Sequence, residues 1–204
     1  MGRRTLAIIA LLALAFAILT GLAVRSGILS PTPKQTAAVG GPFQLVDQTG
    51  RSVDQRLLKG KWSAVFFGFT HCPDVCPTTM FALGGAEQAL GGQAKDFQTV
   101  LISVDPGRDT PQQMAAYLAN PAFPKQVWGL TGSQAQVDAV AKAYHVFHQK
   151  AGEGEDYTIN HSSITYLMNP RGEFACVIPY GTAPDAIAAK VRAAMKQGPR
   201  ATSC

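Results

Sequence analysis

The sequence predicts an α/β sandwich built on a central mixed sheet, preceded by an apolar N-terminal helix. Three observations predict it. A short continuous apolar run, "SAVFFGF" (63–69), has the character of a strand covered on both faces, and "FQTVLISVD" (97–105) reads as a second buried strand. Segments with helix start signals alternate with them, and the chain closes with two strands around an "NPRG" turn followed by a helix. A chain of 204 residues with 47% hydrophobic content can fill the core of one such domain and still carry an extension.

At the N-terminus, Arg3 and Arg4 precede an uncharged run from Thr5 to Val24 that closes at Arg25. This is long enough for a helix to cross a bilayer core, which needs about 20 residues. A cleaved signal peptide is the alternative, but the run exceeds the usual ~7–15-residue apolar region and ends without a clear small-x-small cleavage site. No cysteine follows it to accept a lipid. The arginines before the run orient such an anchor with the rest of the chain outside the cytoplasm. Residues 26–41, "SGILSPTPKQTAAVGG", have linker composition.

Within the domain, "PFQLVDQTGRSVD" alternates around a "DQTG" turn and predicts an edge hairpin from about Phe43 to Val53. The strand at 63–69 leads into a helix that runs from after Cys76 and Pro77 to about Leu90, although Gly84 and Gly85 each cost it roughly 1 kcal/mol relative to alanine. After the strand at 97–105, "TPQQMAAYLAN" (110–120) is a helix with Thr110 as cap and Pro111 in its first turn. "VWGLTG" is a short strand, and 133–147 an amphipathic helix opened by Ser133. Residues 148–161, "HQKAGEGEDYTINH", lack a period and predict a loop, of a length that is often functional. "SITYLMNPRGEFACVIPYG" supplies the last two strands, "APDAIAAKVRAAMKQ" the last helix, and the tail 198–204 is expected to be frayed.

Charge excludes one class of function. Three of the 18 Lys and Arg flank the apolar run, so beyond Arg25 the balance is 15 against 13 Asp and Glu, or +2. Without a basic cluster interleaved with aromatics, nothing supports nucleic-acid binding.

The chemistry gathers in "GFTHCPDVCPTTM" (68–80), where Cys72 and Cys76 are four residues apart. At a helix start this spacing puts both sulfurs on one face. A thiol there is acidified by unpaired backbone N–H groups and the helix dipole, which suits disulfide exchange. Two thiolates also form a soft pair that selects Cu(I) or Zn(II). A third ligand would separate the two uses, and four histidines are available. His71 is adjacent to Cys72 and should point away from it, while His145 and His148 are expected to cap a helix or lie exposed. His161 ends the irregular segment and enters a strand, where the connection returns to the mouth of the first helix. Cys176, inside "EFACVIPY", is expected to act as a small buried hydrophobe. Cys204 is expected to be a mobile terminal thiol, and this uneven placement argues against a disulfide framework.

Taken together, "GFTHCPDVCPTT", "SVDPGRDTP" and "INHSSITYLMNPRG", in this order, resemble the Sco/SenC family of membrane-tethered, thioredoxin-like copper proteins. The resemblance covers about Phe43 to Lys196. It implies a thioredoxin-like three-layer domain over 42–197 behind a transmembrane anchor at 1–25, a linker at 26–41 and a disordered tail at 198–204. It implies that Cys72, Cys76 and His161 bind copper as Cu(I) or Cu(II), with Cys72 and Cys76 also forming a redox-active disulfide. Asp74 is implied as a contributor to metal transfer or partner contact, and Asp105 and Asp109 as supports of the site or helix caps. Asn160 stands where family members commonly carry an acidic residue, which removes a negative charge beside the metal.

The function so implied is a metallochaperone rather than an enzyme, delivering copper to the dinuclear CuA site of cytochrome c oxidase. The expected partners are the oxidase subunit carrying that site and a periplasmic copper chaperone as donor. The expected location is the bacterial inner membrane facing the periplasm, with the mitochondrial inner membrane as the alternative; the short "MGRR" start favours bacteria. The rival function is a thiol-disulfide oxidoreductase that keeps the oxidase cysteines reduced. The missing C-x-x-C motif, and "INHS" where a thioredoxin has its cis-proline segment, weigh against a general thioredoxin. A purely structural disulfide in a tethered binding module is a third possibility.

Overall fold

The computed structural model describes residues 2–25, 39–154 and 156–204, in two units, Met1–Ala37 and Ala38–Cys204. The first unit is helix α1 (Arg3–Arg25), on which Leu11, Phe16 and Leu19 are exposed. Among the described residues no helix is long and apolar enough to cross a membrane. The structure therefore shows an N-terminal helix with exposed apolar side chains, a coarser result than the expected anchor. Most of the expected linker, residues 26–38, lies outside the described residues.

In the second unit the strands are β1 (Gln44–Asp47), β2 (Ser52–Asp54), β3 (Trp62–Gly68), β4 (Phe97–Ser103), β5 (Val127–Thr131), β6 (His148–Ala151), β7 (Thr158–His161), β8 (Thr165–Met168) and β9 (Phe174–Ile178). The helices are α2 (Val75–Leu90), α3 (Pro111–Leu118), α4 (Gln134–Ala143) and α5 (Pro184–Gln197). Seven strands form one mixed sheet in the order β2-β1-β5-β4-β3-β8-β9, and β6 and β7 form a separate hairpin. Every residue of β3 and of β4 is buried, as expected of buried strands, and they pair in parallel at the centre.

This pairing places the site. Gly68 is opposite Ser103, so β3 and β4 end together and the loops that follow them emerge side by side. On the other flank β8 runs antiparallel to β3 with Thr165 opposite Phe66, so the chain entering β8 passes the same end of β3. Ligand sites in such sheets form beyond the carboxyl ends of the parallel strands.

The two glycines of α2 are there for close approach. A Cβ at Gly84 would sit 2.3 Å from the Ala122 carbonyl oxygen, and one at Gly85 2.9 Å from Pro184 of α5. Their cost in helix propensity accompanies a tight seat for α2 against its neighbours.

Three expectations are corrected. The helix predicted over 133–147 ends at Ala143, because Tyr144 turns into the core and His145 takes a left-handed backbone with φ 56°. Residues 148–161 are a β-hairpin rather than a loop, with His148 opposite His161 and Ala151 opposite Thr158. Its strands are mostly polar and partly exposed, so neither carries the apolar alternation by which a strand is recognised.

The third concerns Cys176 and Cys204, which are joined in a disulfide with Cα atoms 5.9 Å apart. The C-terminal tail is accordingly fixed: Ala201 is buried and its carbonyl accepts from the Asn169 side chain at 3.3 Å. Spacing did not reveal the pair because the two cysteines are 28 residues apart and meet only when the tail beyond α5 returns to β9. Closing a loop of that length stabilises a fold by roughly 2–4 kcal/mol, so Cys204→Ser should lose about that much unfolding free energy. Urea denaturation of parent and variant checks it, and coincident curves would show that the bridge adds nothing.

Candidate metal centre

The chain leaves β3 at Gly68 and reaches α2 through Phe69 to Asp74. Gly68 is needed here, since a Cβ on it would lie 2.9 Å from the Cys76 sulfur. A buried carboxylate from the neighbouring loop holds this connection. Asp109 accepts from the Thr70 hydroxyl at 2.6 Å, the Thr70 amide at 3.1 Å and the Ser103 hydroxyl at 2.6 Å. Burial pushes its carboxyl above the usual range, and the donated hydrogen bonds oppose that rise. Asp109 therefore ties the end of β4 to the segment just ahead of Cys72.

Cys72 is partly exposed, three residues before α2, whereas Cys76 lies within its first turn and is fully buried. The Cys76 amide donates to the Cys72 sulfur at 3.4 Å, so Cys72 does the work of a helix cap. Asp74, at the N-cap position, accepts from the Thr78 hydroxyl at 3.2 Å and remains exposed on the rim.

The two thiols are driven apart in acidity. The hydrogen bond from the Cys76 side chain lowers the Cys72 pKa to about 5, assisted by the Cys76 and Asp74 amides and the nearby His161, against a rise from burial. Cys76 moves the other way, because it gives that hydrogen bond and is buried. At neutral pH the pair is one thiolate, on Cys72, and one thiol, on Cys76.

His161 is brought to them by the hairpin. Its Nε2 lies 3.7 Å from the Cys76 sulfur, and its Nδ1 is 2.9 Å from the Ser162 carbonyl oxygen. A carbonyl can only accept, so the proton belongs on Nδ1, leaving the Nε2 lone pair free toward the sulfurs. Phe69 and Phe66 hold the imidazole edge-on, at centroid distances of 5.8 and 6.1 Å.

Cys72, Cys76 and His161 place one donor atom each within 4.8 Å of one another, a group that could hold a metal ion. The other histidines are not part of it. His71 faces the Thr70 hydroxyl at 3.0 Å and Asp109 at 3.8 Å, and His148 faces Asp138 at 3.4 Å. The group opens into a cleft of about 340 Å³ lined by Pro73, Asp74, Ile159 and Asn160 among others. Asn160 is exposed there as a neutral amide. Asp105 lies farther back, where it accepts from Tyr157 at 2.6 Å and from Arg108 at 2.5 Å. Two sulfurs and an imidazole suit a soft or borderline ion, and one site cannot serve metal and disulfide at once, because a metal needs the reduced thiolates.

One role is decided between two expectations and one residue escapes sequence reasoning. Asp109, implied as a support of the site or a helix cap, is the brace of the cysteine loop. Tyr157 lies in a stretch without a periodic signal, and its partners are some 50 residues away.

Comparison with known proteins finds relatives over most of the second unit. A family model described as SCO1/SenC matches residues 31–196. The Arabidopsis thaliana "Protein SCO1 homolog 1, mitochondrial" is 42% identical over 140 residues, 68% of this chain and 41% of that protein, so the chain spans well under half the length of this relative. The solved structure of Bradyrhizobium japonicum ScoI with copper bound is 42% identical with a TM-score of 0.69, covering 74% of this chain and 96% of that one. The structure of BsSco, described as having a disulfide switch and belonging to the Sco family of cytochrome c oxidase assembly proteins, is 27% identical with a TM-score of 0.61, covering 78% of this chain and 94% of that one.

The acidity of Cys72 can be checked by alkylation with iodoacetamide across pH. Thiolate is the reactive form, so modification of Cys72 should be half-maximal near pH 5, against about 8.5 for an ordinary thiol, with Cys76 modified far more slowly. A midpoint for Cys72 above pH 8 would remove the acidifying hydrogen bond from the account.

Proposed function

We propose a function on one established premise: the chain belongs to the SCO1/SenC family. Its domain is a copper metallochaperone that takes up one copper ion through the Cys72 and Cys76 sulfurs and His161 Nε2. It passes the ion to the subunit of cytochrome c oxidase that carries the dinuclear CuA site. The observation that carries this reading is the convergence of the three donor atoms within 4.8 Å.

The cargo exchanges ligands and the protein undergoes no covalent turnover. Cys72 already offers a thiolate, whereas Cys76 must release its proton as the metal arrives, so copper uptake strengthens as pH rises. The half-exposed Cys72 and the open cleft let an incoming thiolate of the acceptor reach the ion, and Asp74 on the rim is suited to partner contact. A copper chaperone outside the cytoplasm serves as donor. The absence of an acidic residue at Asn160 leaves the bound ion with one negative charge fewer in its surroundings.

A second reading is favoured by the acidic Cys72 thiol: reduction of the acceptor's cysteines by the Cys72–Cys76 dithiol before metal arrives. It is supported by the disulfide switch described for BsSco. In that step Cys72 sulfur attacks the acceptor disulfide, and Cys76 sulfur then closes the Cys72–Cys76 bond, releasing the reduced acceptor dithiol.

For location we propose that α1 is a membrane anchor and that the domain faces the bacterial periplasm. The uncharged run behind Arg3 and Arg4 supports the anchor. The Cys176–Cys204 disulfide supports an oxidising compartment.

His161 separates the two readings. His161→Ala should lose copper retention and the thiolate-to-Cu(II) absorption of the loaded protein while the Cys72–Cys76 dithiol still oxidises. Metal stoichiometry, the visible spectrum and thiol titration measure this on the full chain. Copper retained equally by the variant would overturn His161 as a ligand, and no copper on the parent with rapid disulfide exchange would leave the oxidoreductase.

A further inference from the structure

The hairpin that presents His161 is closed on itself at its base and joined to the loop after β4 near its turn. At its base the Ser162 amide donates to the Phe147 carbonyl at 2.9 Å and the Phe147 amide donates to the Ser162 hydroxyl at 3.1 Å. Near the turn, Tyr157 reaches the loop after β4. Its hydroxyl donates to Asp105 at 2.6 Å, and the Arg108 guanidinium lies 3.6 Å from its ring centroid. The Lys150 ammonium, on the facing strand of the same hairpin, is 3.8 Å from that centroid. Both cations therefore pack against the Tyr157 ring. Arg108 also donates to Asp105 at 2.5 Å, with the two side chains only 19% and 4% exposed. Beyond Arg108 is the ring of Phe69, 6.0 Å from the guanidinium, and Phe69 in turn packs edge-on against His161.

We propose that Tyr157, packed against Arg108 and Lys150 and bonded to Asp105, is a latch that seats the hairpin on the loop after β4 and thereby holds His161 at the two cysteines. Tyr157 and Arg108 are positioning residues, since neither belongs to the donor group itself. The position of His161 depends on the hairpin, and the hairpin has few buried side chains of its own to keep it in place; Ile159 is the buried one in β7. Partly buried cation–aromatic contacts and a charge-assisted hydrogen bond supply what apolar packing does not. The cysteines belong to a separately braced loop, so the latch governs the third ligand and leaves the dithiol alone. As far as it concerns copper, the inference rests on the metallochaperone reading; as a statement about the hairpin it does not.

The test uses the full chain with Tyr157→Leu, Tyr157→Phe and Lys150→Ala. In the metal-free protein, amide hydrogen exchange at residues 158–161 should be markedly faster in Tyr157→Leu, with exchange in the first turns of α2 unchanged. Tyr157→Phe, which keeps the ring and its cations but loses the bond to Asp105, should lie between the parent and Tyr157→Leu. In the copper-loaded protein, Tyr157→Leu should bind Cu(II) about tenfold more weakly, with a changed thiolate-to-Cu(II) spectrum, as for other groups that orient a metal ligand. Lys150 is exposed and its loss should not impair folding; Lys150→Ala should speed hairpin exchange about two- to fivefold, the value of one exposed cation–π contact. It decides the matter if Tyr157→Leu fails to fold. Parent-like hairpin exchange in Tyr157→Leu, or in Lys150→Ala where only that variant folds, overturns the latch. A parent that holds no copper while Tyr157→Leu still loosens the hairpin overturns the metallochaperone reading and leaves the latch standing.

Discussion

The parallel pairing of β3 with β4, with Gly68 opposite Ser103, is the constraint on which the rest of the site depends. It brings two loops out of the sheet at the same point, one with the cysteines and one with Asp105, Arg108 and Asp109. The buried Asp109 carboxylate then binds the first loop to the second through Thr70 and Ser103. A carboxylate without solvent is costly unless it is hydrogen-bonded, so these donors hold it and are themselves held by it. Cys72 inherits a defined position from that network, and Cys76 inherits one from the helix that starts beside it.

The third donor is held differently. His161 is carried by a polar two-stranded hairpin outside the main sheet, with aromatic edges and cations in place of a hydrophobic base. Two donors on a stiff frame and one on a polar ribbon fit the proposed uptake and release of a metal ion. Opening the hairpin would withdraw the His161 donor and leave the two sulfurs in place. This arrangement also accounts for how one pair of sulfurs could serve two chemistries, since the dithiol is complete without the histidine.

The four cysteines divide into two pairs of opposite character. Cys176 and Cys204 are spent on architecture, joining the last strand to the tail beyond α5. Cys72 and Cys76 stay reduced in the structure, one acidified by hydrogen bonds at a helix start and one buried as a thiol. Burial and hydrogen bonding thus give identical side chains separate roles.

The sequence by itself determined the central sheet, the cysteine-bearing helix start and the order of the elements. Largely apolar runs, a proline after a threonine cap and a C-x3-C with a proline after each cysteine are local signals that depend on few residues. It also singled out His161, though through the company of a motif rather than through its own surroundings. Only the tertiary structure decided the hairpin at 148–161, whose polar strands carry no period, the early end of α4 at a left-handed His145, and the pairing of Cys176 with Cys204. The same holds for the roles of Asp109 and Tyr157. Each of these depends on a partner distant along the chain or on a backbone turn, and the energy that selects it comes from contacts that exist only once the sheet has formed.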